Sequence, residues 1–101
     1  MSSRSFDLLP AAEHEANDAF DWYESEQVGL GDRFRTELKL TLKRIISSPL
    51  QYAVVHGSDI RRAGIKRFPY SVIFRLENDS VLVLAIFHEK RNPIIWRGRI
   101  D

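Results

Sequence analysis

The chain has no cysteine. Disulfides, thiol nucleophiles, iron–sulfur clusters and cysteine-ligated zinc are therefore excluded. Long apolar runs are missing too. The longest, Val81–Phe87, spans seven residues, far short of the roughly 18 that a membrane span needs. Nothing before Pro10 has the apolar stretch of a signal peptide, which predicts a cytoplasmic protein. Histidine is sparse: His14, His56 and His88 are scattered without ligand spacing, so no metal site is expected. There is no Walker loop or dinucleotide fingerprint, because Gly29 and Gly31 fall between two helical patterns. No serine has a base beside it in the sequence, and no cofactor is implied.

What remains is enough for one domain over residues 1–101. A chain this short buries only about 60–68% of its unfolded surface, so its core is modest and reliance on a partner is plausible. Hydrophobic residues make up 44% of the chain, which reads as globular. The net charge of +1 hides an asymmetry. Residues 1–50 carry six lysines and arginines against nine acids, whereas residues 51–101 carry nine against five. Such a near-neutral total can conceal a basic face that attracts anions. The plainer reading is that solvated charges are distributed differently on helices and strands.

Ser5–Leu8 alternates and reads as a first strand, ended by Leu9-Pro10. Pro10 suits a first helical turn, where its missing N–H costs nothing. Ala12, Ala16, Ala19, Phe20 and Tyr23 recur at helical spacing and predict a helix over 10–27. Glu13, Glu15, Asp18, Asp21 and Glu24 take its outer surface. After Gly29-Leu30-Gly31, Asp32 is the expected cap of a second helix. That helix buries Phe34, Leu38, Thr41, Leu42 and Ile45, and Ser47-Ser48-Pro49 stops it. Strands follow at Tyr52–Val55, at 60–67 and from Pro69, with Tyr70, Val72, Phe74 and Leu76 on one side of the last. Glu77-Asn78-Asp79-Ser80 is a hairpin turn, and Val81–Phe87 is apolar enough for a strand covered on both faces. The expected fold is α+β: an N-terminal strand, then an antiparallel two-helix hairpin packed on one face of an antiparallel sheet. The other face is left for binding or chemistry.

Two clusters are candidates for that role. Arg61-Arg62 and Lys66-Arg67, followed by Phe68-Pro69-Tyr70, place four cations within seven positions. On a strand over 60–67, Arg62 and Lys66 would share one face, with Arg61 and Arg67 on the other. Guanidinium forks hold phosphate oxygens well, but charges on an edge strand also simply block aggregation. The second cluster is His88-Glu89-Lys90-Arg91 with Trp96 and Arg97. Arg91 can stabilise an anion and His88 can titrate near neutrality. Trp96 can stack on a base or pack as a structural residue.

Taken together, Trp22-Tyr23-Glu24, Gly29–Phe34, Ile45–Pro49, Arg62, Lys66–Tyr70, Val72–Phe74, His88–Pro93, Trp96 and Arg99 resemble the RelE/ParE toxin superfamily, and in particular its ParE-like, plasmid-stabilisation branch. The resemblance covers about residues 5–99. It implies a toxin of a bacterial type II toxin–antitoxin system, with an antitoxin as partner. The ParE branch implies binding of DNA gyrase. The RelE branch implies mRNA cleavage on the ribosome, in which Arg62 and Arg91 would contact the scissile phosphate and His88 or Tyr70 would move the proton. The resemblance puts Trp96 where active ribonucleases carry a tyrosine, and an indole cannot replace a phenol in proton transfer. Tyr52–Ile60 also lacks the lysines expected before Arg62. A target-binding set of Arg61, Arg62, Lys66, Arg67, Tyr70, Arg91 and Trp96 is therefore expected. Three readings follow: gyrase inhibition, ribosome-dependent mRNA cleavage, or a homologue that only binds its antitoxin.

Overall fold

The computed structural model describes residues 4–100; Met1–Ser3 and Asp101, which the expected domain includes, lie outside the described residues. The chain runs β1 (Ser5–Leu8), α1 (Pro10–Glu26), α2 (Leu30–Ser47), a short 3₁₀ turn (Pro49–Gln51), β2 (Val54–His56), β3 (Ile60–Gly64), β4 (Tyr70–Glu77), β5 (Ser80–His88) and α3 (Ile94–Arg97). The strands form one sheet in the order β1-β5-β4-β3-β2. The α+β class is as expected, with one addition. β1 lies parallel to β5, pairing Phe6 with Val81 and Leu8 with Val83, while the other pairings are antiparallel. Alternating apolar residues identify a strand but carry no information about its direction.

The two long helices cover one face. Their buried positions recur at helical spacing: Ala12, Ala19 and Tyr23 on α1; Phe34, Leu38, Thr41 and Ile45 on α2. They meet Val72, Phe74, Val81, Val83 and Ile86 from the sheet. Phe20 is only half-buried, and the Arg35 guanidinium lies 3.8 Å above its ring.

The turn between the helices is built differently from the expectation. Asp32 does not cap α2. The helix starts two residues earlier, at Leu30, after Gly29 in a left-handed conformation (φ +90°). The cap is the Glu24 carboxylate from α1, which accepts the Gly29 and Gly31 N–H groups at 2.9 and 3.0 Å. An acid there also suits the positive end of the helix dipole. Gly31 is buried against α1, where an added Cβ would stand 2.7 Å from the Phe20 carbonyl oxygen. Gly31→Ala is therefore expected to destabilise the protein by about 1–3 kcal/mol through overpacking, seen as a lower urea midpoint at unchanged slope.

The other face is not bare. Ile60, Ile73, Leu84, Ala85 and Phe87 form a second apolar layer, closed by Trp96 with Leu9, Val55, Ile95 and Ile100 around it. Trp96 is only 4% exposed, so it packs as part of the wall. This double cover explains the apolar run of β5. A β-bulge helps as well: Ile73 pairs with Ala85 and Phe74 with Val83, leaving Leu84 unmatched. Leu84 and Ala85 thus both join the outer layer, and the alternation of the strand is reversed beyond them.

Two strand expectations need correction. The segment expected at Tyr52–Val55 pairs at Val54–His56, because Pro49–Gln51 forms the 3₁₀ turn and takes up the preceding chain. The strand expected over 60–67 ends at Gly64. Ile65 N–H donates to the Tyr70 carbonyl, and Arg67 turns the chain at φ +72°. Lys66 and Arg67 therefore sit in a turn and share no strand face with Arg61 or Arg62.

Candidate target-binding site

Alternation along β3 separates its two arginines. Ile60 and Arg62 face the outer layer, and Arg61 and Ala63 face the helices. Arg61 is structural: its Nη1 donates to the Tyr52 carbonyl at 2.6 Å. Arg62 borders an open concavity of about 470 Å³ on the outer face, together with Ser71, Glu89, Arg91, Trp96 and Arg97. Arg62 and Arg91 thus share one site. Both are about half exposed and neither is locked in a buried ion pair. Arg62 Nη2 lies 3.5 Å from Glu89 Oε1, and Arg91 Nη1 lies 3.9 Å from Glu15 Oε2. The Arg62–Glu89 pair is exposed and contributes only about 0–1 kcal/mol, and the Arg91 contact to the largely buried Glu15 is long, so both guanidiniums can change partner cheaply.

Tyr70 and His88 lie across the sheet from Arg62. They pair in register at the end of β4 and β5 and face α1, with ring centroids 4.9 Å apart. There they line a second groove with Trp22, Tyr23, Pro69 and Arg91. Arg91, just past the end of β5, borders both concavities. Arg67 belongs to neither. It lines a third hollow against α2, with Asp32, Arg33, Glu37 and Phe68, and Lys66 is exposed beside it.

Burial pushes the Tyr70 hydroxyl above its ordinary pKa of 10.0; Arg91 opposes the rise, and Asp18 and Glu15 add to it. Burial, then Tyr70, raises Tyr23 as well. Near neutrality Tyr70 is thus a hydrogen-bond donor and a poor base. The folded state holds phenolic protons that the unfolded chain releases near pH 10. The stability this supplies is present below that pH and is lost as pH rises through the raised folded values. The Tyr23→Phe/Tyr70→Phe variant is expected to lose stability less steeply between about pH 9 and 11, measured as the pH dependence of the urea midpoint.

Some residues that shape the site were not singled out from the sequence. Glu15 was assigned to the solvated surface of α1, but its side chain is 11% exposed. It accepts two hydrogen bonds from Arg99 at 2.9 Å each and one from the Ile86 N–H at 3.1 Å, while Arg99 also donates to the Leu84 carbonyl at 2.9 Å. The pair satisfies the open edge of β5 where β1 has ended. The signal was in the spacing, since Glu15 falls three residues after Ala12 and four before Ala19, both buried. Trp22, 58% exposed, lies off that stripe and entered the sequence reading only within the Trp22-Tyr23-Glu24 motif of the resemblance. Ser71 had no signal.

A helix hairpin on one side of a five-stranded sheet, with an arginine-bordered concavity on the other, makes a small α+β domain. The sequence model of the ParE toxin of type II toxin–antitoxin systems (parDE) matches residues 6–93, and the chain belongs to that family. Among solved structures, one titled as a chromosomal ParDE toxin–antitoxin system from P. aeruginosa is similar at 17% identity, with a TM-score of 0.73 over 85% of this chain and 96% of that one. The E. coli toxin RelE, as a double arginine-to-alanine mutant in the free state, is similar at 16% identity, with a TM-score of 0.74 over 99% of this chain and 100% of that one. These likenesses establish the fold. No curated protein sequence matches the chain. The family implies an antitoxin as partner. Among the described residues no helix is long and apolar enough to cross a membrane.

Proposed function

We propose that this protein is a cytoplasmic growth inhibitor that binds DNA gyrase without catalysing a reaction and is neutralised by a cognate antitoxin. One observation carries the non-catalytic part. Arg62 lies on the outer face of the sheet, whereas Tyr70 and His88, the candidates for proton transfer, lie on the helix face. General acid–base catalysis needs the transferring group within about 3.2 Å of the reacting atoms, or one water away. A phosphate held at Arg62 is screened from both residues by the sheet. Trp96, in the wall beside Arg62, has an indole N–H that donates a hydrogen bond but does not ionise near neutrality. The open edges at β1 and β2 are suited to strand addition by an antitoxin. The family supports gyrase as the target.

The deciding experiment measures gyrase supercoiling with purified protein, and mRNA integrity on translating ribosomes with the same preparation. Inhibited supercoiling with intact transcripts is expected. Growth arrest with unaffected gyrase rejects the target. Site-specific transcript cleavage rejects the binding mechanism and restores the endonuclease reading, which the shared site of Arg62 and Arg91 favours.

A further inference from the structure

The register of the sheet puts an unusual group under the outer concavity. Arg62 pairs with Ile73, and the Glu89 N–H donates to the Pro69 carbonyl. The ion pair joining Arg62 to Glu89 therefore spans β4 at the level of Ser71. Ser71 is 1% exposed, lines the concavity, and its Oγ has no hydrogen-bond partner among the described residues. Its neighbour on β3 is Gly64, which adds no side chain and has nothing within 4 Å of where a Cβ would stand. A buried hydroxyl without a partner costs stability. Alanine would fill the same space without that cost, so the hydroxyl points to a ligand.

We propose that the outer concavity receives the carboxylate of an acidic side chain on a protein target, held by Arg62, Arg91 and the Ser71 hydroxyl once Glu89 has moved aside. The proposal rests on the binding-toxin reading and names the chemical feature that is bound. Three observations favour a protein carboxylate over a nucleic-acid phosphate. Glu89 already presents a carboxylate to Arg62 at 3.5 Å, so the free protein holds an internal stand-in for the ligand. Glu89 also keeps a negative charge in the site, which opposes a polyanion more than a single carboxylate. Arg97 apart, the rest of the wall is apolar, with Val55, Ile73, Phe87, Pro93 and Trp96. Such a wall suits the methylenes and neighbours of a protein side chain better than a sugar–phosphate backbone.

The test is an NMR titration of the full chain, following the side-chain Nε–H signals of Arg62 and Arg91. The probes are N-acetyl-Leu-Glu-Leu-amide, the same peptide with glutamine, and a 2′-O-methyl RNA trinucleotide. The glutamyl peptide is expected to shift both arginines and to bind about tenfold or more tightly than the glutaminyl one, as a charge-assisted hydrogen-bond set should. Ser71→Ala should weaken the glutamyl peptide about tenfold and, by removing the orphan hydroxyl, raise the melting temperature of the free protein. Glu89→Gln should tighten the same peptide by removing the internal competitor. Equal binding of the two peptides, or unchanged affinity in Ser71→Ala, overturns the proposal. Tighter binding of the trinucleotide at the same arginines overturns it in favour of nucleic acid. Gyrase assays separate the two levels. If wild type and Ser71→Ala inhibit equally, the inference fails and the proposed function stands. If wild type does not inhibit while the peptide results hold, the gyrase reading fails and the pocket chemistry stands.

Discussion

Replacing Arg62 and Arg91 together with alanine is expected to raise the concentration needed for half-inhibition of gyrase by about 100-fold or more, while the fold persists. The size follows from what a buried interfacial arginine contributes. Truncating one hot-spot residue costs about 2 kcal/mol or more, which is close to 30-fold, and two neighbours that grip one anion do not add fully. The folded protein should scarcely notice, because both side chains are half exposed and their ion pairs, at 3.5 and 3.9 Å, are loose. Melting temperature is the control for folding. Lysine at both positions keeps the charge but lacks the planar fork, and should restore only part of the inhibition. Full inhibition by the double alanine variant would remove this face of the sheet from the gyrase contact.

The second large effect concerns stability. Glu15→Ala is expected to destabilise the protein by about 2–4 kcal/mol, near the lower end of what breaking a buried pair costs, since both partners keep some exposure. The Arg99 guanidinium, 19% exposed, would lose two of its hydrogen bonds, and the Ile86 N–H would lose its acceptor. Against a total stability of about 5–15 kcal/mol for such a domain, that is a large fraction, and urea unfolding will register it. Removing both charges, as in Glu15→Leu/Arg99→Leu, is expected to cost less than Glu15→Ala alone, because no charge is then left buried without a partner. A cost equal to the sum of the two single changes would mean that the pair is not coupled.

Much of the fold was legible because its elements carry clean periods. Phe34, Leu38, Thr41 and Ile45 repeat along α2, and Tyr70, Val72, Phe74 and Leu76 alternate along β4. What escaped depends on contacts between distant segments. Asp32 has the right chemistry for a cap, but Glu24 reaches the N–H groups first from the neighbouring helix. Lys66 and Arg67 continue the basic pattern of β3, yet the turn into Pro69 takes them out of the strand. The candidate site was legible in part. Arg62, Arg91 and Trp96 do meet, but only pairing across three strands reveals that Tyr70 and His88 face the other way and that Ser71 lies beneath Arg62.

The extra residue in β5 has a chemical consequence beyond packing. Ahead of Leu84, odd-numbered residues of the strand face the helices; behind it, even-numbered ones do. That inversion aims Glu89 at Arg62 and His88 at the α1 side. The same sequence paired regularly through Leu84, without the bulge, would offer Arg62 an imidazole in place of a carboxylate. Whether the toxin's basic cavity contains a resident carboxylate or an imidazole is thus decided by one β-bulge some five residues away.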